Sequence, residues 1–452
     1  VIHVTTLAAR GPGSLQAALD EEGPRVILFR VSGMIEGVPI LSRGDVTVAG
    51  QSSPGGVSMR GFLIQGDEVC EEARCPLPRR WPRNFIVQHL RLRPGTFADP
   101  DGGGDGLRLH HAKNGIVDHV SIGNATDEAV QISFSSDITV QRSIFAETLG
   151  EHVEFGGMLL NYSDPARDFP LTRISIHHNV WNRIFGRMPE VSRENVPDGT
   201  VMDLEISANL YWDARRPAYV AATNPQTGAQ LRYRLNWIRN HSVQDPSQPH
   251  CFGVLGFEGG PEAGKPSLFP GSSVFLAGNR MSRSARTDLE LVFNNNDFCS
   301  EEAAGALPWG NAGPRRPPWA AAERHPFPPL TYPADARDLV AELGASAGAF
   351  PRDPLDRRVM GSLRSGTFDR APLHSNPARD TSALPFATPP PPFPDADDDG
   401  LPDAWEQAHG LNPRDPSDSR ATSLSIKLAG IAGYTHLELY LQERARILQQ
   451  GG

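Results

Sequence analysis

Ile176-His-His-Asn179, Ile206-Ser-Ala-Asn209 and Leu276-Ala-Gly-Asn279 are three segments of one pattern, an aliphatic residue followed three positions later by asparagine. Each closes a short β-branched run: Arg173-Ile-Ser-Ile-His177, Asp203-Leu-Glu-Ile206 and Ser273-Val-Phe-Leu276. Similar runs occur at Arg25-Val-Ile-Leu-Phe29, Asp45-Val-Thr-Val48, Asn84-Phe-Ile-Val-Gln88, Gly115-Ile-Val-Asp-His-Val120, Asp137-Ile-Thr-Val140 and Arg232-Tyr-Arg-Leu235. Bounded by polar residues or glycine, these read as strands of about four to six residues. Strands that return every 20 to 50 residues or so, with insertions of variable length, mark a stacked solenoid. An asparagine after the strand suits a coil corner, because it tolerates left-handed backbone and can bond to the neighbouring coil. A two-sheet sandwich is the alternative, but its tight Asn-Gly or Asp-Gly hairpin signals are scarce here. The expected fold class is therefore all-β: a right-handed, single-stranded parallel β-helix.

Composition agrees with that expectation. The 452 residues include 44 Gly and 41 Pro, which suits a turn-rich β chain better than a helical one. With 43 Lys+Arg against 53 Asp+Glu the net charge is -10, which argues against a nucleic-acid binder. No apolar run approaches the ~18 residues of a membrane span. The chain starts at Val1 with no methionine or charged-then-apolar leader, as expected of a processed mature form or a trimmed chain. Four cysteines, Cys70, Cys75, Cys251 and Cys299, allow three pairings; their order suggests Cys70–Cys75 and Cys251–Cys299, with free thiols as the alternative. A secreted or periplasmic monomer is the expectation.

The solenoid pattern fades near residue 300, which divides the chain into a β-helix over 1–300, a Pro/Ala-rich strap with short helices over 301–387, and a terminal unit over 388–452. Helical patterns cover Ala334–Leu343, Asp353–Leu363 (opened by an Asp-Pro cap) and Thr435–Leu448. Thr388-Pro-Pro-Pro-Pro-Phe393 is a stiff linker. It leads into Asp395-Ala-Asp397-Asp-Asp399-Gly400-Leu-Pro-Asp403-Ala-Trp-Glu406, which has acidic oxygens at loop positions 1, 3, 5, 9 and 12 and glycine at position 6. That spacing predicts a Ca²⁺ loop using Asp395, Asp397, Asp399, Asp403 and Glu406. A single complete loop of this kind reads as a stabilising clasp on the end of the solenoid.

Other motifs resemble the pectate lyases. Gly11-Pro-Gly-Ser-Leu15, Gly23-Pro-Arg-Val-Ile-Leu-Phe-Arg-Val-Ser-Gly33 and Val48-Ala-Gly-Gln-Ser-Ser-Pro-Gly-Gly56 look like their first turns. Asp105-Gly-Leu, Val117-Asp-His119, Asp127-Glu128, His177-His-Asn179 and Arg187-Met-Pro189 follow in family order. Leu343-Gly-Ala345, Pro351-Arg-Asp353 and Gly433-Tyr-Thr-His-Leu-Glu-Leu-Tyr440 resemble the C-terminal end. The resemblance implies cleavage of de-esterified pectin, an anionic polysaccharide, by β-elimination with Ca²⁺ as cofactor. A bound cation would also reconcile a net-negative protein with a negative substrate.

Carried over residue by residue, the resemblance implies Asp105 and Asp127 as metal ligands with Glu128 beside them. Gln131 stands where the family often has a further acid, and Gly103 where it has another, with Asp99 and Asp101 nearby. Arg187 matches the catalytic base. A free guanidinium has a pKa above ~12, so that role demands a neighbouring cation and desolvation, or else the arginine stabilises charge. Arg193 resembles the second, carboxylate-binding arginine. The family's substrate lysine has no counterpart in Glu147–Met158, where His152 is the candidate replacement. His178 is a further candidate for substrate binding, whereas His119 reads as a core residue. Trp181, Tyr211 and Trp212 are aromatics that either stack on sugars or fill the coil interior. Two other functions fit the same residues: a β-helical glycoside hydrolase acting on a uronic-acid polymer with paired carboxylates, or a non-catalytic carbohydrate-binding β-helix.

Overall fold

A computed structural model of the protein describes residues 1–67, 77–95, 104–148, 156–191, 196–197, 199, 201–216, 218–294, 316–373 and 388–451. All nine strands expected from the sequence lie side by side in one parallel sheet, preceded by Ile2–Val4. Two further parallel sheets of nine strands each complete the coil. A typical turn runs Ser136–Gln141 in the first sheet, Ile144–Ala146 in the second and Met158–Asn161 in the third. This is the right-handed parallel β-helix, in keeping with the near-universal hand of parallel crossovers. The second and third sheets escaped the sequence reading because most of their strands are two to four residues long. So short a strand shows no alternation to detect.

Alternation in the first sheet places one residue type above its like. Ile138, Ile174, Leu204, Leu235 and Val274 are in register and no more than 1% exposed. Each such side chain contributes about 1.5–3 kcal/mol of burial. At the corner after this sheet runs a ladder of amides. Asn179 N–H and Nδ2 donate to Asn209 Oδ1 (3.1 Å each), Asn209 donates likewise to Asn240, and Asn240 to Asn279. Asp288 ends the ladder by accepting from Asn279 (2.9 Å). The sequence pattern had found three of these four rungs. It had assigned the left-handed backbone to the asparagines, but the positive φ falls one residue earlier, at His178 (56°), Ala208 (51°), Arg239 (55°) and Gly278 (72°). The reason is that the asparagine must already point inward to bridge coils, so its predecessor makes the turn.

Two elements brace the solenoid from outside. Helices Leu339–Ser346 and Pro354–Ser365 lay Leu339, Leu343, Leu355, Val359, Met360 and Leu363 on the second sheet. Asp353 caps the second helix by accepting from Asp356 N (2.8 Å), as its Asp-Pro start predicted. Helix His436–Gln450, capped by a reciprocal Thr435–Glu438 pair, packs Leu437, Tyr440 and Leu441 against Leu28 and Ala49 of the first coils. Among the described residues, no helix is long and apolar enough to cross a membrane.

Several histidines are sealed inside, with a consequence for acid stability. Burial pushes His89, His110 and His177 down to about 3, and His111, His178 and His241 down to about 4. Because the folded values lie below the unfolded value of 6.5, the unfolded chain binds more protons between them. Stability is therefore complete above about pH 6.5 and lost as pH falls toward 4, by up to ~1.4 kcal/mol per pH unit for each group engaged. Melting temperature should fall steeply between pH 6.5 and 4.5. A flat profile over that range would contradict the burial of these rings.

Candidate active site

The acids expected to bind metal come together where the coil passes from the second sheet into the third. Asp105 and Glu128 precede adjacent third-sheet strands, Leu107–His110 and Val130–Ser133, and are 3% and 4% exposed. Asp105, Asp127 and Glu128 each present a carboxylate oxygen within 4.8 Å of the others. The set is held in place by its own backbone. Glu128 N–H donates to Asp105 Oδ1 (3.2 Å), and the Thr126 and Asp127 amides donate to Gly104 O. Gln131 is buried in the outward-facing row of the third sheet, in register with Arg108 on one side and Leu159 on the other.

Arg187 reaches this cluster from two coils away. Its guanidinium pairs with Glu128 and donates from Nε to Glu190 Oε2 (3.0 Å), and the side chain remains 20% exposed. Its backbone has φ 54°, the left-handed conformation that His178, Ala208 and Arg239 take at another corner of the coil. Gly157 makes room for this loop: a Cβ there would lie 2.0 Å from the Arg187 carbonyl oxygen. Two partners were missed by the sequence reading. Arg108 donates from Nε to Asp105 Oδ2 (2.9 Å), and Glu190 is buried beneath Arg187. Their only sequence signal is an i,i+3 spacing to Asp105 and Arg187, too common to be diagnostic.

The terminal loop brings together part of its acidic set. Gly400 takes φ 97° at the sharp turn, and Asp395, Asp397 and Asp399 converge. Asp403 lies outside that set, and its Oδ1 accepts from Ala396 N (2.8 Å). Asp399 and Glu406 instead converge with Asp418, outside the twelve-residue motif. Burial, reinforced by Asp397, Asp399, Asp418 and Asp403, pushes the Glu406 carboxyl up to about 8.

No family model matches the chain. It is 25% identical over 450 residues to the probable pectate lyase C of Aspergillus flavus, a match covering 97% of this chain and 88% of that protein. It is also 34% identical over 166 residues to the probable pectate lyase C of Emericella nidulans, covering 35% of this chain; the chain thus spans 34% of that relative's length. The crystal structure of jun a 1, the major allergen from cedar pollen, superposes with a TM-score of 0.50 at 12% identity, covering 77% of this chain and 88% of that one. That likeness concerns the fold. The chain is similar in sequence to proteins described as probable pectate lyases.

The Asp105–Asp127–Glu128 set offers only hard oxygen donors, which fits Ca²⁺ rather than a softer metal. The terminal set fits for a further reason: both carboxylate oxygens of Glu406, a residue 0% exposed, and both of Asp397 are buried without a hydrogen-bond partner. Other expected residues fall elsewhere. His178 sits at the corner after the first sheet, under the strap, with Nε2 3.1 Å from Thr331 O and its ring stacked on Tyr332. It is a packing residue there, on a different corner from Asp105, and its assignment to substrate is corrected accordingly. His119 is packed as expected, bonded to Asp118 (2.8 Å) and stacked on His89. Trp181, Tyr211 and Trp212 are all at most 5% exposed, inside the coil or under the strap. Arg193, His152, Gly103, Asp99 and Asp101 lie outside the described residues, as do Cys70, Cys75 and Cys299. Cys251, the one cysteine among the described residues, is not a free thiol. A groove of about 1000 Å³ lines the first sheet past Thr47, Ile86, Ile116 and Thr139, away from the acid cluster and without its chemistry.

Proposed function

We propose that this chain is a secreted, calcium-dependent polysaccharide lyase that splits polygalacturonate by β-elimination. The observation that carries the reading is the meeting of the Asp105–Asp127–Glu128 cluster with Arg187 through a shared carboxylate, Glu128. Asp105, Asp127, Glu128 and Gln131 would hold the ion, whose chemistry is electron withdrawal from a uronate carboxylate. In the reaction the C5 proton leaves, its bonding pair becomes the C4=C5 double bond, and the C4 oxygen departs with the next sugar. For Arg187 to take the proton in this reading, an ion held by the acid cluster would have to draw Glu128 off the guanidinium and depress its pKa, while Glu190 holds the Nε edge in place. Glu128 belongs to both groups, which ties the arginine's position to that of the metal ligands. Arg108, bonded to Asp105 and part-exposed, supplies the cationic fork for a substrate carboxylate.

A hydrolase is less well supported. Glycoside hydrolysis needs one carboxyl as a proton donor, whereas Glu128 is ion-paired with Arg187 and Asp105 with Arg108. The two chemistries separate in one assay. On polygalacturonate with calcium, ultraviolet absorbance from the new conjugated double bond should rise, and chelator should abolish the rise. Reducing ends appearing with no absorbance change would reject the lyase reading, and no shortening of any uronate polymer would favour a binding protein. In the same reading the terminal loop is a calcium clasp, Cys251 pairs with Cys299, and the chain acts as a monomer.

A further inference from the structure

The terminal loop is continued by a residue that its motif does not contain. Asp418 lies twelve positions after Glu406 (418 − 406) on a short turn, Asp418–Arg420, yet its carboxylate meets those of Asp399 and Glu406 within 4.8 Å. Glu406 is fully buried with both oxygens unpartnered and aimed into this space, and Asp418 Oδ1 is likewise without a partner. Its other oxygen accepts from Asn412 N (3.3 Å), which fixes the side chain's direction. Asp403, which the motif would use, lies outside this cluster, with its Oδ1 turned to Ala396 N.

We propose that Asp418 is a ligand of the terminal calcium site in place of Asp403, and that the ion thereby ties the 418–421 turn and the final helix to the first coil. The proposal rests on reading the loop as a calcium site. Its structural consequence follows from the bonds around it. Asp399 Oδ2 accepts from Ser419 N (3.2 Å), and His436 N, at the start of the final helix, donates to Ala421 O (2.9 Å). On the other side, Asp395 accepts from Arg30 Nη2 (3.2 Å) and Asp398 lies 3.5 Å from His3 Nε2, both in the opening turn of the β-helix. Gly400 is pressed so close to that turn that a Cβ would stand 2.6 Å from Leu28 Cδ1. A cation shared by Glu406, Asp399 and Asp418 therefore fastens three separate stretches of chain to one another.

Calcium titration of the full chain by calorimetry, with Asp127→Ala as background to silence the upstream site, tests this. Asp418→Asn should weaken the remaining site roughly tenfold or more, the effect of removing one charged oxygen ligand, and Glu406→Gln should do the same. Asp403→Asn, which keeps an acceptor for Ala396, should bind within about threefold of the background protein. Calcium should also slow hydrogen exchange at the Ser419 and Ala421 amides, and Asp418→Asn should remove that slowing even at saturating calcium, where folding is verified by circular dichroism. If a Glu406-dependent site ignores Asp418→Asn, the inference fails while the loop reading stands. If the background protein takes up no calcium at all, the loop reading itself is lost.

Discussion

Replacing Arg187 with alanine should lower polygalacturonate cleavage by roughly 10²–10⁴-fold, the usual contribution of a positioned proton-transfer group. The side chain is the cation that bridges Glu128 of the acid cluster to Glu190, a carboxylate 1% exposed. Its removal also leaves two buried acids facing one another, so some loss of stability is expected beside the loss of rate. Arg187→Lys separates the effects. It restores a positive charge between the acids without the planar fork, so melting should recover while the rate stays low. Glu190→Gln keeps an acceptor for Nε and should cost far less than Arg187→Ala. The readout is initial rate at saturating calcium and polymer, beside the unfolding midpoint. Arg187→Ala cleaving at the parent rate would remove the arginine from the mechanism.

The largest stability effect is expected far from that site. Arg93 is 0% exposed and donates to Asp353 Oδ2 (2.9 Å), Asp356 Oδ1 (2.7 Å) and the Ser121 carbonyl (2.8 Å). Burial opposes its charge, but Asp353 and Asp356 override that and hold the guanidinium above its ordinary range. Arg93→Met strips the compensation from two carboxylates that are 8% and 0% exposed. Breaking such a network from one side costs on the order of 3–5 kcal/mol. The loss should appear as a lower urea midpoint and, since the pair anchors helix Pro354–Ser365, as earlier proteolysis of the strap. Adding Asp353→Asn and Asp356→Asn to Arg93→Met should recover most of the difference, because neutral partners carry no uncompensated charge. If the single variant melts like the parent, the network is stabilising nothing.

These two sites differ in how far they could be read from the chain. Arg187, Asp105, Asp127 and Glu128 were all named from short motifs in family order, and the fold gathers them at one corner. Arg93 gave no signal, because its partners are 260 and 263 residues away. His178 was misjudged for a related reason: nothing local announces that Thr331 and Tyr332 will cover it. That Asp403 Oδ1 turns to Ala396 N, and that Asp418 meets Asp399 and Glu406, could not be read from spacing, which counts oxygens without saying where each one points.

The β-helix itself, its first sheet, the corner asparagines and the acidic loop were determined by sequence alone, because each rests on a local period or spacing that a few neighbouring residues carry. The packing of strap and final helix on that solenoid, the Arg93–Asp353–Asp356 network, the Glu190 support under Arg187 and the arrival of Asp418 beside Glu406 were decided only by tertiary structure. Those contacts join residues distant in the chain, and their energy comes from burial and charge compensation that no local pattern encodes.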